Sequence, residues 1–154
     1  MNSEPSPFSA DSALVEALSE RAVPVSCPKD RVLFRQGEEC LGVFVLQSGH
    51  ANLEMLSDTG EAVARFATGD GSLLGLPAVF SGEKYSLTAY AQAGSDVRFV
   101  ERGSFFDLIG STPALSLKVL QVVAAETRAA RAALVDALAR QHQLHKRSGN
   151  CSEI

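Results

Sequence analysis

The chain has 154 residues and a mass of 16.3 kDa, which is the size of one ordinary domain. Its composition, 45% hydrophobic and 21% charged, is typical of a globular protein and excludes a disordered chain. A net charge of -4 and a pI near 5.3 argue against a surface that coats nucleic acid or binds anionic membranes.

Features of export and membrane insertion are missing from the sequence. No run approaches the roughly 18 to 20 apolar residues of a membrane span, and residues 1–10 lack the basic flank and apolar core of a secretion signal. Cys27, Cys40 and Cys151 lie far apart without CxxC spacing, so neither a disulfide framework nor a zinc finger is predicted. We therefore expect a cytoplasmic protein without membrane contact.

Glycine punctuates the chain up to about Glu101, and the segments between the glycines are short and rich in Val, Phe, Leu and Tyr. This rhythm is typical of an all-β sandwich or barrel. The charge balance changes a little later. Residues 1–113 carry eight basic and fifteen acidic side chains, whereas residues 114–147 carry six basic and two acidic ones.

The β-strands are predicted from apolar runs between turn residues. They are Arg31–Arg35, Val43–Leu46, a strand through Leu53 and Met55, a strand through Val63 and Arg65–Phe66, Tyr85–Ala91 and Val97–Val100. Ser48-Gly49 predicts a hairpin after the second strand, and Ser57–Gly60 predicts a turn after the third. Residues 68–71 are too rich in glycine to continue a regular ladder.

Helices are predicted at both ends of the β-region. Asp11 or Ser12 caps a first short helix, and Ser104 caps a second one that Gly110 ends. A long helix runs from Pro113 to about His145, since no further glycine or proline interrupts it. The expected organisation is a flexible N-terminus (1–10), a β-domain (11–112), the long helix (113–145) and a flexible tail (146–154).

Small and large side chains alternate along the long helix at nearly heptad spacing. These residues are Ser116, Leu120, Val123, Thr127, Ala130, Leu134, Ala137, Gln141 and Leu144. Because the helix is predicted to outrun the small β-domain beyond Thr127, we expect this seam to form a homodimer. The charged residues elsewhere on the helix, including Glu126, are interpreted as its solvated flank. The alternative is that the seam packs on its own β-domain.

Five short segments carry most of the glycine and apolar framework. They are Leu33–Glu38, Gly42–Gly49, Gly69-Asp70, Gly75–Phe80 and, ahead of Pro113, Phe105–Leu108. With the order of elements, they resemble the Crp/Fnr-type sensor domain of the cyclic nucleotide-binding domain superfamily over roughly residues 10–140. The resemblance implies a mainly β fold with flanking helices: a β-roll of the jelly-roll (double-stranded β-helix) type and a long C-terminal dimerisation helix.

The resemblance also implies a ligand pocket under a phosphate-binding cassette, a short helix with its preceding loop. Backbone N–H groups at such a helix start suit a phosphate. The matching positions are Gly75, Leu76, Pro77, Ala78, Lys84, Tyr85, Ser86 and Thr88, and the resemblance places Thr127 of the long helix towards the pocket. No cofactor is assigned with certainty, and the ligand is cyclic AMP or another small molecule.

Two cassette positions depart from the family pattern. Cyclic nucleotide binders of the family have a glutamate directly after the cassette glycine and an arginine directly before a Ser or Thr, where this chain has Leu76 and Tyr85. A cyclic phosphate in a partly dry pocket needs charge-assisted donors, and Tyr85 supplies at most one neutral donor. Lys84 is expected on the opposite strand face, in solvent.

Other chemistries find little support in the sequence. Three scattered thiols do not make an iron–sulfur cluster, and His50 alone is a weak haem motif. His142, His145 and Cys151 are interpreted as a helix end rather than a metal site. The catalytic motifs of hydrolases and phosphate-loop enzymes are missing, so we expect neither a catalytic nor a metal site.

Two functional hypotheses remain open. The first is a non-catalytic, homodimeric sensor or transcription-regulator-type protein with a non-standard phosphate-binding cassette. The second is a degenerate domain that binds no cyclic nucleotide and serves as a protein-interaction scaffold or binds another small ligand. The expected partners are a second copy, a small molecule and an effector protein. Only residues 146–154 follow the long helix, too few for a helix-turn-helix domain, so sequence-specific DNA binding by this chain is not expected.

Overall fold

The computed structural model describes residues 6–151, with the side chains of residues 145 and 147–151 outside that description. Helices and strands follow one another in this part of the chain as α1 (Ser12–Ser19), β1 (Val23–Val25), β2 (Arg31–Phe34), β3 (Gly42–Ser48), β4 (Ala51–Leu56), β5 (Ala62–Thr68), β6 (Ser72–Leu74), α2 (Leu76–Ser81), β7 (Thr88–Ala91), β8 (Asp96–Glu101), α3 (Arg102–Ser111) and α4 (Pro113–Cys151).

The strands form two antiparallel sheets of four. The first sheet has the order β1-β8-β3-β6, and the second has the order β2-β7-β4-β5. The predicted β-roll with flanking helices is therefore confirmed. Strands β1 and β6, three residues each, were not predicted, because a run this short carries no readable alternation.

Strand β3 is apolar along its length because both of its faces are covered. Val43 and Val45 face an outer core, which the first sheet shares with α1, α2, α3 and α4. Phe44 and Leu46 face the inner core between the two sheets. The two cores are thus separated by the first sheet.

The predicted hairpin at Ser48-Gly49 is wrong. Strand β3 belongs to the first sheet and β4 to the second, so the turn carries the chain from one sheet to the other. Gly49 has φ +113° and donates its N–H to the Asp70 carboxylate at 2.7 Å, which fixes the crossing. The turn at Ser57–Gly60 is confirmed, since β4 and β5 are antiparallel neighbours.

Three helix and strand boundaries differ from the prediction because tertiary contacts decide them. Strand β7 begins at Thr88 rather than Tyr85, since both backbone groups of Tyr85 bond to the loop at Gly37 and Glu38. The predicted Ser104 cap is wrong. Helix α3 begins at Arg102, whose N–H donates to the Leu41 carbonyl, and it continues through Gly110 to Ser111.

The capping of α1 and the start of α4 follow the sequence. Asp11 accepts a hydrogen bond from the Ala13 N–H at 2.8 Å, as predicted for an N-cap. The Asp11 carboxylate also accepts from Lys118 Nζ at 2.7 Å, which lowers the pKa of Asp11 and ties α1 to α4. Helix α4 begins at Pro113 and buries Leu115, Val119 and Val122 in the outer core.

Both ends of the described chain make contacts or continue elements. Of the expected flexible N-terminus, residues 1–5 lie outside the described residues, whereas Phe8 is 3% exposed and belongs to the inner core. The Phe8 carbonyl accepts from Leu73 N–H at 2.9 Å. Of the expected tail, residues 146–151 continue α4 and residues 152–154 lie outside the described residues.

Candidate ligand-binding site

The segment that matches the cassette is a glycine-bounded helical turn. Gly75 (φ +98°) follows β6 and precedes α2, and Gly82 (φ +71°) ends α2 by donating its N–H to the Ala78 carbonyl at 3.0 Å. Within α2, Leu76 is fully buried in the outer core. Pro77 and Ala78 turn towards the pocket instead. The position that carries glutamate in cyclic nucleotide binders thus faces away from the pocket.

Tyr85, at the position that carries arginine in cyclic nucleotide binders, lies inside the inner core. Its ring stacks on Phe34 with the centroids 4.0 Å apart, and its hydroxyl donates to the Gly42 carbonyl at 2.8 Å. The side chain is 5% exposed, and burial raises the pKa of the phenol. Its one donor is therefore already paired within the protein.

The space left at this end of the pocket is very small. A cavity of about 20 Å³ lies here, and its lining is formed by Phe8, Phe34, Leu53, Gly75, Pro77, Ala78, Tyr85, Ser86, Leu87 and Glu126. That volume suits a single water molecule at most. We call this place the cassette end of the pocket. The described side chains that line it provide no cation for a phosphate.

The remaining polar cassette residues are only partly directed at the pocket. Lys84 is exposed, and its backbone bridges to Glu39, which agrees with the expected orientation towards solvent. Ser86 is exposed at the rim of the pocket. Thr88 is buried, but its hydroxyl accepts from the Gln36 N–H at 2.9 Å and supports the β2–β7 region.

A larger cavity of about 380 Å³ opens between α4 and the second sheet, and we call it the α4 cavity. Its lining is formed by Phe8, Met55, Phe66, Pro77, Ser86, Leu87, Glu126, Thr127, Ala129, Ala130, Arg131 and Leu134. Helix α4 therefore continues along the roll beyond Thr127, and Arg140 still donates to the Val63 carbonyl at 3.4 Å. The prediction that the helix outruns the domain at Thr127 is wrong.

Thr127 and its neighbour Glu126 differ in their positions at this cavity. Thr127 lies on its edge, is exposed, and donates its hydroxyl to the Val123 carbonyl of its own helix at 2.9 Å. Glu126 is 8% exposed, and its Oε1 atom has no hydrogen-bond partner in the described residues. Burial raises the pKa of Glu126 from its ordinary 4.5 to about 8. The interpretation of Glu126 as solvated flank is wrong.

The burial of Glu126 was predictable from its spacing along the helix, although the residue was assigned to the solvated flank. Val119, Val122 and Glu126 follow one another at spacings of three and four, which places the acid on the apolar stripe that faces the roll. A lone acid on such a stripe points to a buried carboxyl. The small alanines one turn further on leave the space that becomes the α4 cavity.

The predicted dimer seam is a single stripe that lies along the border between the buried and the exposed side of α4. Val123, Ala130 and Ala137 are half-buried and turned partly towards the roll, whereas Leu120, Thr127, Leu134 and Gln141 are exposed. Large apolar side chains that are more than half exposed lie on this part of the helix: Leu117, Leu120, Leu134, Val135 and Leu138.

Neither a metal cluster nor a membrane span is found in the part of the chain that the structure describes. No group of three or more Cys, His, Asp or Glu side chains is positioned for a metal there. Of the predicted histidine and cysteine tail, the side chains of His145 and Cys151 lie outside the description. No described helix combines the length and apolar character required to cross a bilayer.

Comparison with known proteins decides the family. The model of the cyclic nucleotide-binding domain matches residues 24–112, which is more than half of the chain. The chain belongs to this family. Its match covers β2 to α3, and so includes the cassette and both sheets. A search of the curated proteins found no significant match.

Solved structures of several bacterial regulators share the fold at low identity. The catabolite activator protein of Thermus thermophilus is 19% identical with a TM-score of 0.70 over 84% of this chain and 60% of that protein. The sensor domain of the transcriptional regulator DNR from Pseudomonas aeruginosa is 20% identical with a TM-score of 0.59, covering 78% and 79% of the two chains. The c-di-GMP responsive global regulator CLP of Xanthomonas campestris is 15% identical with a TM-score of 0.61, covering 88% and 65%.

These likenesses confirm the predicted Crp/Fnr-type sensor fold. The chain spans about 60% of the length of the Thermus protein.

Proposed function

We propose that this chain is a non-catalytic regulatory module of the cyclic nucleotide-binding family whose pocket does not take a cyclic nucleotide in the usual way. The stacking of Tyr85 on Phe34 carries this proposal, because the two rings occupy the cassette end where a phosphate would need space and a cation. The regulators named among the structural neighbours support a regulatory role.

The test is calorimetric titration of the protein with cyclic AMP and cyclic GMP, after mass spectrometry has established that the protein carries no retained ligand. We expect no saturable heat up to about 1 mM nucleotide, because a buried phosphodiester without a charged donor is strongly disfavoured. Binding in the micromolar range would contradict the proposal, since Tyr85 would then have to leave the inner core.

We further propose that the module acts as a homodimer through α4. On a helical projection at about 100° per residue, Leu117, Leu120, Val135 and Leu138 fall within about 60° of one another, on the side away from the roll. All four are more than half exposed and form two apolar pairs on this side, Leu117 with Leu120 and Val135 with Leu138, and exposed apolar surface of this kind is typical of an interface. A ligand in the α4 cavity would contact the same helix and bias its packing in the dimer.

Sedimentation equilibrium tests the dimer. We expect the double variant Leu120→Glu/Leu138→Glu to sediment as a monomer at concentrations where the unmodified chain is a dimer. Leu134 is left unchanged in this variant because it also lines the α4 cavity. The matched control is Ala132→Glu/Gln143→Glu, which adds the same charge at exposed positions of α4 outside the apolar group. An unmodified chain that sediments as a monomer, or two variants that behave alike, would contradict this interface.

A further inference from the structure

The α4 cavity combines apolar walls with one buried acid. Phe8, Met55, Phe66 and Leu87 form most of the apolar wall, and Glu126 enters it from α4 with its Oε1 atom unpartnered. At about 380 Å³ the cavity lies in the range of small-molecule sites, which typically join apolar walls to a few polar anchors.

The helix itself provides no partner for Glu126. The residues that share its face one turn away, at spacings of three and four, are Val122, Val123, Ala129 and Ala130, and all are apolar. Among the described residues that line this cavity and the cassette end, the other titratable side chains are Tyr85 and Arg131. Tyr85 donates to the Gly42 carbonyl, and Arg131 is exposed at the rim.

We infer that the α4 cavity binds an organic cation with an apolar body, whose protonated amine donates a hydrogen bond to the Glu126 carboxylate. This inference rests on the proposed function, because it assumes a ligand other than a cyclic nucleotide. A buried carboxyl is unfavourable unless it is paired, and an ammonium group supplies both the opposite charge and the donor. The apolar body of the ligand would cover Phe8, Phe66 and Leu87.

Binding of such a cation is coupled to a proton. Burial alone raises the pKa of Glu126 to about 8, so the carboxyl is mostly neutral at pH 7 in the empty site. A bound ammonium favours the carboxylate, and the carboxyl proton then leaves to solvent while the amine keeps its own. Arg131 on α4 and Tyr85 beside the inner core are the other groups that face the site. The affinity is therefore expected to rise between pH 6 and pH 8.

The experiment is calorimetric titration of the full chain with tryptamine and 4-phenylbutylamine, each an aromatic body with a primary amine. Indole-3-ethanol is the neutral match for tryptamine. We expect both amines to bind with a Kd below about 1 mM, and about tenfold or more weaker binding for indole-3-ethanol, as for loss of a charge-assisted hydrogen bond. Titration in phosphate and in Tris at pH 7 should reveal proton release with the amines.

Variants test whether amine binding depends on the Glu126 carboxyl or only on the cavity around it. Glu126→Gln should weaken tryptamine binding about tenfold or more and abolish the proton release, whereas Glu126→Asp should retain part of both. Asp136→Asn, which removes an exposed carboxylate from the same helix, is the matched control and should leave the affinity unchanged. Ala130→Phe should fill the cavity and block both amines.

Several results would overturn the inference. They are equal affinity of Glu126→Gln and the unmodified chain for tryptamine, equal affinity for tryptamine and indole-3-ethanol, or no binding of either amine below about 1 mM. A loss of dimer mass in Glu126→Gln, without a loss of amine affinity, would assign the carboxyl to the subunit interface instead. Cyclic nucleotide titrations on the same samples keep the two proposals apart: nucleotide binding contradicts the proposed function, whereas the absence of both nucleotide and amine binding contradicts this inference alone.

Discussion

The two ends of the ligand-binding region have opposite characters. At the cassette end, stacked aromatic rings leave about 20 Å³, and the one phenol is paired with a backbone carbonyl. At the α4 cavity, small alanines leave about 380 Å³, and the one carboxyl lacks a partner at Oε1. The family places its anion-binding groups at the former end, whereas in this chain that end is closed and a buried acid, Glu126, lies where the two cavities meet.

The contrast shows how the side chains of one framework can change while its fold is kept. Gly75 and Gly82 keep the cassette backbone in place, and the residues around them decide whether an anion fits. A stacked phenol in place of a guanidinium provides no cation, and the inference of a cationic ligand follows from the buried acid beside it. The same physical rule, that a buried charge needs an opposite partner, governs both ends.

The largest expected effect is at Glu126 and concerns the pH dependence of stability. Because the pKa of Glu126 is raised from 4.5 to about 8 in the folded chain, the folded state binds more protons than the unfolded state between these values. The free energy of unfolding therefore falls as the pH rises from 4.5 to 8. We expect Glu126→Gln to lose this dependence and to gain, at pH 9 relative to pH 4, up to about 5 kcal/mol over the unmodified chain.

Urea unfolding from pH 4 to pH 9 measures this gain. Asp136→Asn is the control. Because Asp136 is exposed, its substitution should change the free energy of unfolding by the same amount at pH 4 and at pH 9. A constant difference between Glu126→Gln and the unmodified chain over this range would mean that Glu126 finds a partner or solvent in the folded protein.

The second largest effect is expected from removing the Tyr85 ring at the cassette end. Tyr85→Ala removes a buried ring that stacks on Phe34, and we expect it to lower the free energy of unfolding by about 3 to 5 kcal/mol. Tyr90→Ala removes the same side chain from a half-buried position on β7 and should lower it by less than about half as much. Equal losses in urea unfolding would show that the cassette end is not tightly packed.

The smallest effect tests the contact between the cassette glycine and Tyr85. A Cβ on Gly75 would lie 2.9 Å from Tyr85 Cε1, and the residue has φ +98°. Gly60 has φ +87° with no neighbour within 4 Å of its Cβ position, so Gly60→Ala adds backbone strain alone. We expect losses of about 3 kcal/mol for Gly75→Ala and about 1 kcal/mol for Gly60→Ala by thermal or urea unfolding. Equal losses for the two variants would show that the Tyr85 ring moves aside without cost when a Cβ is added at Gly75.

Much of the fold was predictable because its signals are local. The apolar run Val43–Leu46, the turn at Ser57–Gly60, the Asp11 cap and the start of α4 at Pro113 were all predicted correctly from neighbouring residues. The wrong predictions involve distant partners. The Ser48-Gly49 turn resembles a hairpin locally, yet β3 pairs with β6 and β8 while β4 pairs with β5 and β7. Helix α3 starts early because Arg102 bonds to Leu41.

The candidate site was predictable only in part. The sequence resemblance drew attention to Tyr85 as a pocket residue with a single neutral donor. It did not predict that the Tyr85 ring stacks on Phe34, which is 51 positions away, and fills this end of the pocket. Glu126 was assigned to the wrong side of α4 because the seam was read from the helix alone, while its burial depends on Phe8 and Phe66 from distant segments.

By itself the sequence determined the class of fold, the order of its elements and that Leu76 and Tyr85 stand where the resemblance expects a glutamate and an arginine. These properties follow from periodicity, turn residues and side-chain chemistry at single positions. The tertiary structure decided which end of the pocket is filled, which end is open, and that Glu126 is buried where the two meet. Volume and desolvation are properties of groups brought together from distant parts of the chain, and no single segment contains them.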